Sequence, residues 1–205
     1  MQRIFHTPEG VRDIYSQECS RKQKLQEKLH RVFHQYGFED IETPTFEYFE
    51  VFSKEVGTIP SRELYKFFDR EGNTLVLRPD FTPSVSRACA TYFNPEKEVV
   101  SLCYTGNTFI NNSSFRGRLK ETTQMGVERM GDDSPEADAE ILAMTVECLL
   151  ATGLTEFQVS VGQVDYYKAI FAQTGLSQEE EEELRELISQ KNYFGVEELV
   201  KNKNM

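Results

Sequence analysis

The chain has 205 residues, 34 of them acidic and 23 basic, for a formal net charge of −11. That length suits one domain, or one domain with an appendage, and is ample for a hydrophobic core. The longest apolar runs fall far short of the roughly 20 residues that span a bilayer, which excludes membrane insertion, and an acidic chain has no global field that attracts nucleic acid.

The charge is uneven. Residues 1–130 balance 18 Lys/Arg against 18 Asp/Glu, while residues 131–205 hold 5 against 16 and supply the whole excess. Cys19, Cys89, Cys103 and Cys148 are irregularly spaced with no CxxC pair, which suggests buried free thiols rather than a zinc site or a disulfide framework. The start, Met1 to His6, lacks a charged stretch followed by an apolar one, so no export signal is read and the cytoplasm is the expected location.

In chain order, Leu25, Leu29, Val32, Phe33 and Tyr36 recur at helical spacing and predict a helix over Ser16–Tyr36, ended by Gly37. The alternating segment Phe38 to Pro44 reads as a strand that stops at proline. Leu64–Phe68 and Leu75–Leu77 flank the turn-rich Asp69–Asn73 and predict a hairpin. Thr82-Pro83, with the threonine as N-cap, opens a helix to Tyr92. Strands follow near Val99–Phe109 and Thr122–Arg129. A helix from Ser134-Pro135-Glu136 to about Leu150 is closed by Gly153, and Phe157–Gly162 reads as a further strand. Helices are then expected over Val164–Phe171, from the capping box of Ser177 and Glu180 to about Ile188, and near Val196–Val200. Mostly antiparallel strands with helices between them indicate an α+β domain.

Strand periodicity places Gln124, Gly126 and Glu128 on one face and turns Met125 and Val127 into a core. A glycine between an amide and a carboxylate leaves an open floor suited to a small ligand bearing an ammonium or N–H group. On spacing alone the plainer reading, a solvent-facing side of an antiparallel sheet, is favoured. Asp80 and Thr82 stand at a strand-to-helix junction, where capping explains them without any ligand, although the pair could also hold a free amino acid. Phe115 to Lys120 puts three cations in a loop that could take an anion through Arg116 and Arg118, or be merely solvated. His30 and His34 have chelating spacing but no evident third ligand, so neither a metal nor a cofactor is expected. Glu179 to Glu183 reads as a solvated helix face.

The order of these features resembles the class II aminoacyl-tRNA synthetases. The helix and strand before Pro44 are similar to their dimer-forming first motif, and Pro8–Asp13, Leu77–Thr82 and Gln124–Glu128 resemble the histidyl-tRNA synthetase family. The resemblance implies an antiparallel sheet flanked by helices, self-association through that first motif, and a histidine pocket lined by Asp80, Thr82, Gln124 and Glu128. Anchored on Gly117-Arg118, the second-motif arginine that synthetases place on the α-phosphate of ATP falls on Ile110, and its neighbouring glutamate on Asn112. Loss of one such preorganised contact costs about 100-fold or more in rate.

The same losses mark a related family, the regulatory subunits of ATP phosphoribosyltransferase. Arg78 to Arg87, Val161 to Ile170, and Leu184 to Asn192 with Val196 to Leu199 resemble its versions of these segments. That resemblance implies a noncatalytic subunit of the first step of histidine biosynthesis, partnered by a short-form catalytic chain and involved in feedback by histidine; the acidic surface of residues 131–205 makes a poor tRNA contact, so no tRNA ligand is expected. It further implies a core over 1–175, an acidic helical insertion or the start of one over 176–205, and a chain that stops before the third synthetase motif. The alternatives are a histidyl-tRNA synthetase catalytic fragment and a stand-alone amino-acid-binding module.

Overall fold

A computed structural model of the chain describes residues 6–53, 59–112 and 117–202. It divides into two compact units, Met1–Phe157 and Gln158–Met205.

The first unit opens on helix α1, Ser16–Gln35, whose apolar stripe buries Val32 and Phe33. Gly37, at a φ of +79°, ends it in a conformation that other residues reach only with strain. The expected strand after it is only β1, Glu39–Asp40, and it pairs in parallel with β5, Val100–Phe109, placing Glu39 opposite Leu102 and Asp40 opposite Cys103. The Ile41 amide adds one more bond to the Cys103 carbonyl at 2.9 Å, and beyond it the carbonyls turn to another partner. Those of Thr43 and Pro44 accept from the Arg78 guanidinium at 2.9 and 3.3 Å.

The long hairpin is as expected. β5 pairs antiparallel with β6, Glu121–Met130, through all ten positions, and the sheet order is β1-β5-β6, which leaves β6 at the edge. A second sheet, β2-β4-β3, joins Phe46–Tyr48 to the hairpin of Lys66–Phe68 and Thr74–Leu77. In its turn Asp69 accepts from the backbone of Glu71 and Asn73 and from the Asn73 side chain at 2.8–3.0 Å. β2 and the one-turn helix α2, Glu50–Ser53, were not anticipated.

Both faces of the first sheet are covered. On one side Cys103, Met125 and Val127 pack with Val32, Phe33 and Phe38 and with Met144 of α4, Pro135–Thr152. On the other, Val100, Leu102 and Tyr104 pack with Phe81 and with Val85 and Cys89 of α3, Thr82–Tyr92. This two-sided burial accounts for the unbroken buried run Leu102-Cys103-Tyr104. Helix α4 carries the expected ends, with Ser134 accepting from the Ala137 amide at 3.2 Å and Gly153 left-handed.

Phe157 to Gly162, expected as a strand, is irregular, and no strand pairs with it among the described residues. Alternation makes a strand only where a ladder receives it. The second unit is helical: α5 Val164–Thr174, α6 Gln178–Ser189 and α7 Tyr193–Asn202. Both halves of the Ser177–Glu180 capping box form, and Arg185 lies over the ring of Phe171, 5.3 Å from its centroid. No helix among the described residues is long and apolar enough to cross a membrane.

Candidate functional site

The junction between β4 and α3 meets the middle of β6. Helix α3 begins at Thr82, with Phe81 in the capping position, so Thr82 is not the N-cap that its place before proline suggests. Its hydroxyl is spent on the sheet instead, donating to Glu128 Oε1 at 2.6 Å. Asp80 Oδ1 accepts from the Phe81 amide at 2.7 Å and from Gln124 Nε2 at 3.0 Å. The four residues singled out in the sequence therefore converge as two bonded pairs, each joining the helix start to the strand. The face bearing Gln124 and Glu128 is not solvent-facing, because α3 packs over it.

The glycine between them does not leave an open floor. Gly126 lies opposite Tyr104, and a Cβ there would sit 2.6 Å from the phenol carbon Cζ. The missing side chain is the space that the Tyr104 ring fills. That ring stacks on Phe81 at 4.3 Å with 7° between planes, and its hydroxyl donates to Glu128 Oε1 at 3.3 Å. Burial, followed by the nearby carboxylates of Glu128 and Asp80, pushes the Tyr104 phenol up from its usual range and keeps it neutral.

Phe81 is held from its other side by Arg78, whose guanidinium carbon lies 4.0 Å from the ring centroid. Arg78 is 8% exposed, donates to the Asn107 carbonyl at 2.8 Å as well as to Thr43 and Pro44, and is lowered in pKa by burial. Gly106 makes room for it, since a Cβ there would meet Phe81 at 2.6 Å and Arg78 at 2.7 Å. The site is thus two carboxylates and a phenol around an amide and a hydroxyl, on a floor of stacked aromatic rings. Such a set favours a small cationic group, with Asp80 and Glu128 as its charge partners.

Tyr104, Arg78 and Gly106 belong to this arrangement and were missed. The usable signal was the pair of glycines, Gly106 and Gly126, in facing strands, which marks close approach by something bulky. Of the anion-contact pair, Arg118 is exposed and Arg116 lies outside the described residues. Ile110 stands just past β5, its amide donating to the Lys120 carbonyl at 2.9 Å, and Asn112 donates to the Leu119 carbonyl at 3.3 Å. Both are engaged in holding the strand ends together.

The histidyl-tRNA synthetase family model matches residues 10–205. This chain belongs to the histidyl-tRNA synthetase family. Within that family it is 44% identical over 201 residues to an ATP phosphoribosyltransferase regulatory subunit of Acetivibrio thermocellus, covering 98% of this chain and 48% of the relative. It is 42% identical over 196 residues to a protein of the same name from Ruminiclostridium cellulolyticum, covering 96% and 47%. Among solved structures, the crystal structure of an ATP phosphoribosyltransferase regulatory subunit/histidyl-tRNA synthetase from Bacillus halodurans superposes with a TM-score of 0.86 at 33% identity, over 98% of this chain and 52% of that one. The fold is the histidyl-tRNA synthetase-like α+β fold of the class II synthetases, and the chain spans about half the length of the curated relatives it matches.

Proposed function

We propose that this protein is the noncatalytic regulatory subunit of ATP phosphoribosyltransferase, required for the first step of histidine biosynthesis. The observation that carries the reading is Ile110. Where the synthetases of this family place a cation on the nucleotide phosphate, this chain has an alkyl side chain, with a neutral amide at Asn112 in place of the glutamate. Its relatives at 42–44% identity bear the regulatory subunit's name. Acting in the cytoplasm, the chain engages a short-form catalytic subunit, and α1 with β1 serves self-association. Histidine binds at Asp80, Thr82, Gln124 and Glu128, where an ammonium or imidazolium displaces the internal pairing of these side chains. A coupling of about 1–3 kcal/mol between histidine and the active state of the catalytic chain is enough for feedback control.

The deciding experiment measures phosphoribosyl transfer from phosphoribosyl pyrophosphate to ATP. The purified chain is expected to be inactive alone and to raise the activity of the short-form catalytic partner when added. Equal partner activity with and without it would overturn the proposal. Calorimetry with histidine tests the pocket separately: Gln124→Ala and Glu128→Ala are each expected to weaken binding about tenfold or more, since each strips a polar partner from the ligand or leaves one unpaired. A synthetase fragment would instead show histidine-dependent exchange of pyrophosphate into ATP.

A further inference from the structure

The two histidines of α1 find their third and fourth companions through the sheet. His30 and His34, one turn apart, both turn Nε2 toward Asp40, at 2.5 Å from Oδ1 and 3.0 Å from Oδ2. Cys103 lies directly opposite Asp40 in the β1–β5 register, and its sulfur is 3.5 Å from Oδ1. One potential ligand atom from each of the four lies within 4.8 Å of all the others. Three elements therefore deliver two imidazole nitrogens, a carboxylate oxygen and a sulfur to one point. This point is on the α1 side of the sheet, whereas Tyr104 and Glu128 face α3.

We infer that His30, His34, Asp40 and Cys103 form a four-ligand site for a divalent transition metal of the zinc type. Zinc bonds of about 2.0–2.3 Å in a tetrahedron separate the ligand atoms by roughly 3.3–3.7 Å. The present separations, from 2.5 Å to at most 4.8 Å, bracket that range. The donor chemistry selects among metals: imidazole and thiolate suit zinc, cobalt or copper, and a single carboxylate oxygen is a poor cage for magnesium or calcium. Access also fits. The side chains of His30, His34 and Asp40 are 39%, 45% and 55% exposed, while Cys103 is fully buried beneath them. His30 and Asp40 also border an open depression together with Glu27 and Glu42. On binding, the Cys103 thiol loses its proton to water and the sulfur becomes the fourth ligand. The ion then clamps the end of α1 to β1 and β5.

The site is tested on the full chain with Co²⁺ as a spectroscopic probe and Zn²⁺ as its competitor. One Co²⁺ per chain is expected to give the intense visible bands of tetrahedral cobalt with a near-ultraviolet thiolate-to-cobalt band, and stoichiometric Zn²⁺ is expected to erase both. Cys103→Ser should abolish the thiolate band. Because Cys103 is buried and its replacement can unfold the chain, His30→Gln and His34→Gln provide the second arm on exposed positions. Each should weaken Co²⁺ binding by more than the roughly 10–100-fold that loss of an outer-shell partner costs. Cys19→Ser should change nothing. An octahedral cobalt spectrum, absence of a thiolate band in the unmodified chain, or unchanged affinity in the two histidine variants would each overturn the assignment.

Discussion

At Gly126 a single hydrogen atom decides what the α3-facing side of β6 contains. Any side chain there would collide with Tyr104, so Gly126→Ala must push the phenol off Phe81 or bend β6. Overpacking of this kind costs about 1–3 kcal/mol. Denaturant unfolding should show that loss in the otherwise unchanged chain and a much smaller one in a Tyr104→Ala background, because the two positions share one space. Equal costs in both backgrounds would mean that the ring does not depend on the glycine. Arg87 offers a second residue-level test. It donates Nε and Nη2 to Glu47 Oε1 at 3.0 and 2.7 Å, and the Glu47 side chain is only 8% exposed. Arg87→Met leaves that carboxylate buried and unpaired and should destabilise the chain by about 3 kcal/mol. Adding Glu47→Gln should return part of the loss, because the uncompensated charge is then gone.

Among the elements, the most legible were those whose ends carry their own chemistry. Ser134 and Gly153 bracket α4, the Ser177–Glu180 box opens α6, and the Asp69–Asn73 turn sets the register of β3 with β4. That turn has a pH signature. The Asn73 side chain, with the Asn73, Glu71 and Gly72 amides, holds the Asp69 carboxyl below its ordinary value. A carboxyl depressed in the folded state lends stability that is complete above its unfolded pKa of about 3.9 and is withdrawn as pH falls through the folded value. Carboxyl titration by NMR should therefore place Asp69 below about 3.9; a midpoint at or above that value would contradict the turn geometry.

What stayed illegible depends on partners far away in sequence. Asp40 meets Cys103 through a parallel ladder of only two residues, too short to read as a pattern. Alternation correctly put Gln124 and Glu128 on one face, yet it could not say that α3 covers that face or that Tyr104 fills the gap at Gly126. The failed strand at Phe157 is the converse case: the pattern is present and the ladder is not. Alternation and the junction picked out Gln124, Glu128, Asp80 and Thr82 as candidates, with a solvated strand face and helix capping as the plainer readings, and only the resemblance to a family joined the four into one site.

For the molecule as a whole, the acidity follows the helical region. Residues 131–205 hold 16 acids against 5 bases, a local excess of negative charge that disfavours contact with a phosphate backbone. The other whole-molecule property comes from the edge position of β6. Its ten residues bond to β5 along one side, and no described strand takes the other. An open ladder of that length is a directional template, able to accept a further strand from anywhere in solution. Hydrogen exchange should find alternate β6 amides, those turned away from β5, unprotected in dilute protein. Protection of those amides that grows with concentration would mean that a second copy has joined the sheet, and protection independent of concentration would contradict the strand order. The strand that carries Gln124 and Glu128 toward α3 is thus also open to extension, whether by a proper partner or by aggregation.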